Sequence, residues 1–322
     1  MKITWFKTKL FALSAVALAA CAAQAGAYPD KPVRVIVPYP AGAAADSVTR
    51  AIGNKLTQYW GQQVVVENKP GLTTGTIAAK DAVADGYTLL VGTSATMVTT
   101  PMTMKRPTYN AHKDFAPIGR MVINTPVLVA VPSLGVKTVS ELLALAKRKP
   151  GQLNYASSGT GGPSQLAMEQ LLATTGTDIA HVGYKGAANS VTDLVGGQVQ
   201  LGFNAIPSVI TFIKSGKLVA LATAGEKRST LLPNVPTVAE TVPGFSYTLW
   251  YGLFAPAKTP AAVVEKVAAD LHKALADPEV QKLLLAQGSD PAPSTAQELS
   301  QQMARETQDW SKAIKDRNLK FD

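Results

Sequence analysis

Four short stretches of small and polar residues hold most of the chemistry this chain could perform. They are Tyr39-Pro40-Ala41-Gly42-Ala43-Ala44-Ala45-Asp46, Gly92-Thr93-Ser94-Ala95-Thr96, Ser157-Ser158-Gly159-Thr160-Gly161-Gly162-Pro163-Ser164 and Tyr184-Lys185-Gly186-Ala187-Ala188-Asn189. Each stands where a β-type run gives way to a helical period. Small side chains let a ligand approach the backbone. N–H groups at a helix start, with the positive end of the helix dipole, then favour an anion. Loops of this kind can hold a carboxylate without an arginine. The candidate contacts are Tyr39, Gly42, Ala43, Ala44 and Asp46 in the first loop, and Thr93 and Ser94 in the second. Ser158, Gly159, Thr160, Ser164 and Gln165 come from the third, Tyr184 from the fourth, and Asn204 follows a later strand. Asp46 has a second reading as a helix cap, since a carboxylate turned inward would repel an anion.

Groups suited to catalysis are scarce. The histidines are His112, His181 and His272, too widely spaced for a zinc-binding H-x-x-x-H pair. Gly92-Thr93-Ser94-Ala95-Thr96 lacks the second glycine of a nucleophile elbow, and Thr160-Gly161-Gly162-Pro163 lacks the G-K-[ST] ending of a P-loop. His181 ends a strand and reads as a structural hydrogen-bonder. His272 falls in an amphipathic period and reads as surface. No catalytic residue, metal or cofactor is expected.

These loops need strands and helices to aim them, and the chain alternates the two as an α/β protein does. Strands are expected at 33–37, 63–67, 87–91, 127–131, 153–156, 179–182, 199–203 and 218–222. Helices are expected from Asp46 with Val48, Ala51, Ile52 and Leu56 on one face, and at 75–83, 139–147, 164–173, 189–194, 260–275, 278–287 and 296–314. Ser140 reads as a cap before Glu141. Crossings between two lobes are expected near 124–128 and 249–254. One lobe then comprises 28–126 and 251–322, the other 127–250, with a ligand cleft between them.

The N-terminus reads as an export signal at 1–27. Lys2, Lys7 and Lys9 precede an apolar run too short to span a bilayer. Ala25-Gly26-Ala27 fits one cleavage site, while Leu18-Ala19-Ala20-Cys21 fits a lipobox that would leave a lipid on Cys21. The formal charge of +9, less those three lysines, leaves +6, and the basic residues are dispersed. That argues against nucleic acid, which favours a basic stripe or a known module. Cys21 is the only cysteine, so no internal disulfide can form.

With these residues in view, the chain resembles the periplasmic solute receptors of tripartite tricarboxylate transporters, the Bug receptors, over essentially its whole length after the signal. The stretches that carry the resemblance include Tyr28-Pro29-Asp30-Lys31-Pro32-Val33-Arg34, Val64-Val65-Val66-Glu67-Asn68-Lys69-Pro70-Gly71 and Asp85-Gly86-Tyr87-Thr88-Leu89-Leu90. Lys113-Asp114-Phe115-Ala116-Pro117-Ile118, Leu153-Asn154-Tyr155-Ala156-Ser157-Ser158-Gly159 and Gly252-Leu253-Phe254-Ala255-Pro256 follow in order. The resemblance implies a two-lobed, type II-like periplasmic binding fold, acting as a monomer, that closes on a di-, tri- or aromatic carboxylate. It also implies membrane transporter subunits as partners. One carboxylate would be held by backbone N–H groups and water near Gly42 to Asp46 and Ser158 to Gln165.

The chain departs from the family where Ala43 replaces a glycine, where Gln165 replaces a frequent histidine, and at Leu72-Thr73-Thr74-Gly75. Ala43 is expected to restrict the loop relative to glycine. Ala43, Ala44 and Ala45 could leave room for a bulkier or aromatic acid. Competing readings are a hydrolase built on a serine loop, a regulatory effector domain, and a partner of a sensor-kinase ectodomain. The first needs a base beside a serine; the second needs a DNA-binding segment where this chain has its export signal.

Overall fold

The computed structural model describes residues 28–104, 106–159 and 162–317. The expected export signal, with Cys21, lies outside the described residues.

The first sheet holds β1 (Val33–Val37), β2 (Val64–Asn68), β3 (Thr88–Thr93), β4 (Phe115–Asn124), β10 (Leu249–Pro256) and β11 (Asp290–Pro291), in the order β11-β4-β10-β3-β1-β2. The second holds β5 (Pro126–Ala130), β6 (Asn154–Ser157), β7 (Ala180–Gly183), β8 (Leu201–Ala205) and β9 (Val219–Thr223), in the order β7-β6-β8-β5-β9. Both are mixed. β1 runs parallel to β2 and β3, while β10 runs antiparallel to β3 and β4. β6 runs parallel to β7 and β8, and β5 antiparallel to β8 and β9.

The longer helices are α1 (Ala44–Trp60), α2 (Leu72–Lys80), α3 (Val139–Arg148), α4 (Pro163–Thr175), α5 (Ala187–Val195), α6 (Ile206–Lys214), α7 (Ala261–Ala276), α8 (Pro278–Ala286) and α9 (Ala296–Arg317). No described helix is long and apolar enough to cross a membrane.

Strand alternation explains why helices cover both faces of each sheet. Val33, Val35 and Val37 point into one core with Val48, Ile52 and Leu56 of α1 and Val267 and Leu271 of α7. Ile36 points the other way, into a core with Leu90, Trp250, Phe254, Leu299 and Met303. In the second sheet Leu128 and Ala130 face α3 and α4, whereas Val127 and Val129 face α5 and α6.

Several local expectations shift. The first helix opens at Ala44 rather than Asp46, so Asp46 sits in its first turn. Thr138, not Ser140, caps α3 by accepting from the Glu141 N–H at 3.2 Å. The π-helix at Ala95–Thr99, β4 and α6 have no counterpart in the expected elements. His272 is half-buried rather than surface, its Nε2 lying 3.0 Å from the Ser294 carbonyl oxygen.

Only Thr125 separates β4 in the first sheet from β5 in the second. Pro126 already pairs with Ala205 of the second sheet, so it does not belong with 28–125. On the return, the Tyr247 N–H still donates to Ala224 O at 2.8 Å, while Leu249 pairs with Asn124. Leu249 and Trp250, expected with the second lobe, are therefore strand β10 of the first sheet. α9 touches both sides: Leu299 and Met303 pack under the first sheet, and Trp310 stands edge-on to Tyr247 at 6.2 Å.

Candidate functional site

Register places the four loops. On the first sheet, Thr93 at the end of β3 pairs with Tyr251, and Tyr251 with Val122 near the end of β4. Tyr39 follows β1 at the same edge, its hydroxyl 2.9 Å from Thr93 Oγ1. On the second sheet, Ser157 ends β6 beside Gly183 of β7, and Asn204 lies at the end of β8. The β4–β5 connection joins these two edges directly. The candidate loops therefore gather on the two edges that the hinge links, the usual ligand position in α/β sheets.

The first loop is closed by its own carboxylate. Asp46 Oδ2 accepts the Gly42 N–H at 2.9 Å, and Oδ1 takes the Asn68 amide at 3.0 Å and Arg50 Nε at 2.9 Å. Asp46 thus ties the first loop to Asn68 and Arg50. Burial alone would raise its pKa, but Arg50, Gly42 and Asn68 outweigh that and lower it. Gly42 takes φ +82°, a conformation side chains disfavour. Ala43, at φ −67° and ψ 159°, is in an ordinary extended state, so alanine there does not restrict the loop as expected. Ala44 and Ala45 open α1, so their N–H groups have no carbonyl partner inside the helix.

The third loop is also tied internally. The Ser158 N–H donates to Ser164 Oγ at 2.9 Å, the two hydroxyls lie 3.1 Å apart, and the Gly186 N–H donates to Ser158 O at 3.0 Å. The Gly159 N–H reaches Ser157 Oγ at 3.3 Å. Several backbone donors counted from the sequence are thus already used. The start of α4, at Pro163, Ser164 and Gln165, remains as a helix N-terminus aimed from the second edge. Thr160 lies outside the described residues. Tyr184 is half-buried, and burial together with Asp193 raises its pKa. Asn204 is buried and donates to Gly202 O at 3.2 Å.

Sequence spacing missed one pair. Ser157 Oγ lies 2.6 Å from His181 Nε2, across adjacent strands. This is the juxtaposition a serine hydrolase would need. Ser157 Oγ is also tied into its own loop, 3.1 Å from Gly159 O and accepting the Gly159 N–H at 3.3 Å. Ser157 is buried, and burial lowers the His181 pKa. The pair props the third loop. Tyr251 was missed too; it reads as one more residue of an apolar strand, and only its register shows it at the cleft edge.

A cavity of about 1380 Å³ runs along the hinge between the lobes. Ser94 and Pro163 lie at its loop end, and Ile123, Thr125, Thr248 and Leu249 along the hinge. α4 and α9 form its flanks through Glu169, Gln170, Glu306 and Trp310. Gly42 and Ser158 are not on its wall.

Residues 48–319 match the model of the tripartite tricarboxylate transporter family receptor. Protein BugT of Bordetella pertussis is 33% identical over 323 residues, covering 98% of this chain and 99% of that one. Among solved structures, Rpa4515 of R. palustris, determined with adipate, superposes with a TM-score of 0.74 at 29% identity, covering 89% of this chain and 97% of that one. MatC of Rhodopseudomonas palustris, with bound malate, superposes with a TM-score of 0.69 at 29% identity, covering 89% of this chain and all (100%) of that one. With two hinged α/β lobes and polar loops collected on the linked sheet edges, the chain belongs to the tripartite tricarboxylate transporter family of periplasmic solute receptors.

Proposed function

We propose that this protein captures a small organic carboxylate between its lobes and delivers it to the membrane subunits of a tripartite tricarboxylate transporter. It acts in the periplasm as a monomer, exported by residues 1–27 or held by a lipid on Cys21. The observation that carries this reading is the pair of helix starts, Ala44 of α1 and Ser164 of α4, on the two sheet edges joined by the hinge. Two such termini favour one anion between them. Tyr39, Gly42, Ala43, Thr93 and Ser94 line the acid's first side; Ser158, Gly159, Gln165, Tyr184 and Asn204 line the second. Asp46 braces the first loop. Relatives determined with adipate and malate support the ligand class.

A thermal-shift screen with an organic-acid library should find at least one acid that raises the melting temperature in proportion to its concentration. Scattering on the same protein should then show a more compact particle with that acid than without it. A library with no stabilising acid, or identical scattering curves, would reject capture by closure.

Ser158→Ala should weaken binding only modestly, by about 1 kcal/mol or roughly fivefold. The Ser158 hydroxyl contacts the Ser164 hydroxyl, and its N–H bond to Ser164 survives the change. Calorimetry that finds binding abolished in a folded Ser158→Ala protein would show that the hydroxyl itself is the main ligand.

A further inference from the structure

Among the described residues on the hinge-cavity wall, Arg120 of β4 is the half-buried cation, whereas Lys227, Arg228, Arg305 and Lys312 on the same wall are exposed. Its Nε donates to Ala292 O at 2.8 Å and its Nη1 to Gln302 Oε1 at 2.6 Å. Both acceptors are neutral and together take two of the five guanidinium N–H donors. Among the described residues no carboxylate forms an ion pair with it.

Glu298, Glu306 and Glu226 act on Arg120 through space, without an ion pair. Glu306 accepts from Trp250 Nε1 and Gln302 Nε2, and burial raises its pKa while Arg120 acts to lower it. Glu298 accepts from Thr295, Asp290 from Thr230, and Glu226 is exposed. Burial disfavours the Arg120 charge. An anionic group arriving in the cavity would offset that cost with a charge-assisted, two-pronged contact.

Register gives the distance from the loops. Gly92, Gly252 and Arg120 lie abreast on β3, β10 and β4. Two strand spacings put Arg120 about 10 Å from Gly92. Ser94, two residues past Gly92, lines the same cavity as Arg120.

We propose that Arg120 forms a second anion subsite, taking the distal acidic group of a ligand whose first carboxylate sits between the α1 and α4 starts. This builds on the capture of a carboxylate proposed above, and it makes the preferred ligand a dicarboxylate whose acids are several bonds apart. Calorimetry with succinate, glutarate, adipate and suberate, each beside its monocarboxylate of equal length, tests it. Arg120→Gln should lower the affinity for the best dicarboxylate at least about tenfold and move the matched monocarboxylate by less than about twofold. Arg120→Lys, which keeps the charge without the fork, should fall between. Equal losses for both ligand classes, or unchanged dicarboxylate binding in Arg120→Gln or in Arg120→Lys, would overturn the subsite while leaving carboxylate capture intact. A wild-type protein that binds none of these acids would overturn both.

Discussion

Trp250→Ala should destabilise this protein more than any other single substitution proposed for it. Trp250 is fully buried at the centre of the core formed with Ile36, Leu90, Phe254, Leu299 and Met303. Removing an indole from such a site costs about 3–5 kcal/mol through lost burial and the cavity left behind. A second cost follows. Trp250 Nε1 lies 2.9 Å from each oxygen of Glu306, which burial already strains. Without that donor, Glu306 becomes easier to protonate and α9 loses a tie to β10. The sum is a large part of the roughly 5–15 kcal/mol that holds a domain together. Trp250→Phe separates the two contributions, because it keeps most of the ring but drops the N–H. It should cost about 1–3 kcal/mol and raise hydrogen exchange along residues 302–310. Urea unfolding that finds the alanine variant no worse than the phenylalanine variant would show that packing is not what Trp250 supplies.

The second large effect is on ligand binding. Asp46→Ala removes the acceptor shared by Gly42, Asn68 and Arg50. Gly42, at φ +82°, is then held only by the Ala43 N–H to Pro40 O turn bond at 3.2 Å, and the start of α1 loses its fixed relation to Tyr39 and Thr93. The expected loss in affinity is about 1.5–3 kcal/mol, roughly 10- to 100-fold, with the fold retained. The same residue sets a pH dependence. Its folded pKa lies below the ordinary 3.8, so its contribution is full above that value and is lost as pH falls through the lower one. Binding in the wild type should thus hold steady from neutral pH to about 4 on account of this group. Asp46→Ala binding the selected acid as tightly as wild type would mean that the first loop keeps its shape without the carboxylate.

Much of the local structure was legible in advance because it is written in short-range patterns. The alternation in Val33-Arg34-Val35-Ile36-Val37 and the spacing of Val48, Ile52 and Leu56 reflect strand and helix periods of two and 3.6 residues. Gly42 and Gly159, both at positive φ, mark turns that favour glycine. β4 was less legible: Phe115-Ala116-Pro117-Ile118-Gly119-Arg120 carries a proline and a glycine that normally argue against a strand. It holds because β10 pairs along its length, with two register shifts absorbing the irregularity.

The sequence by itself determined the alternating α/β elements, the polar loops where strands pass into helices, and the scarcity of catalytic groups. The tertiary structure decided which groups those loops have left to offer. Asp46 came to brace the first loop because Asn68, 22 residues on, donates to it. Ser158 and Gly159 lost backbone donors to Ser164 and Ser157. Ser157 met His181 only through strand pairing, and Arg120 came to share a cavity wall with Ser94 only because β10 lies between β3 and β4. The physical reason is common to all four. A residue's period and turn preference depend on its neighbours along the chain. Whether a donor, acceptor or charge remains unmatched depends on partners brought close by folding, and those contacts carry no fixed spacing in sequence.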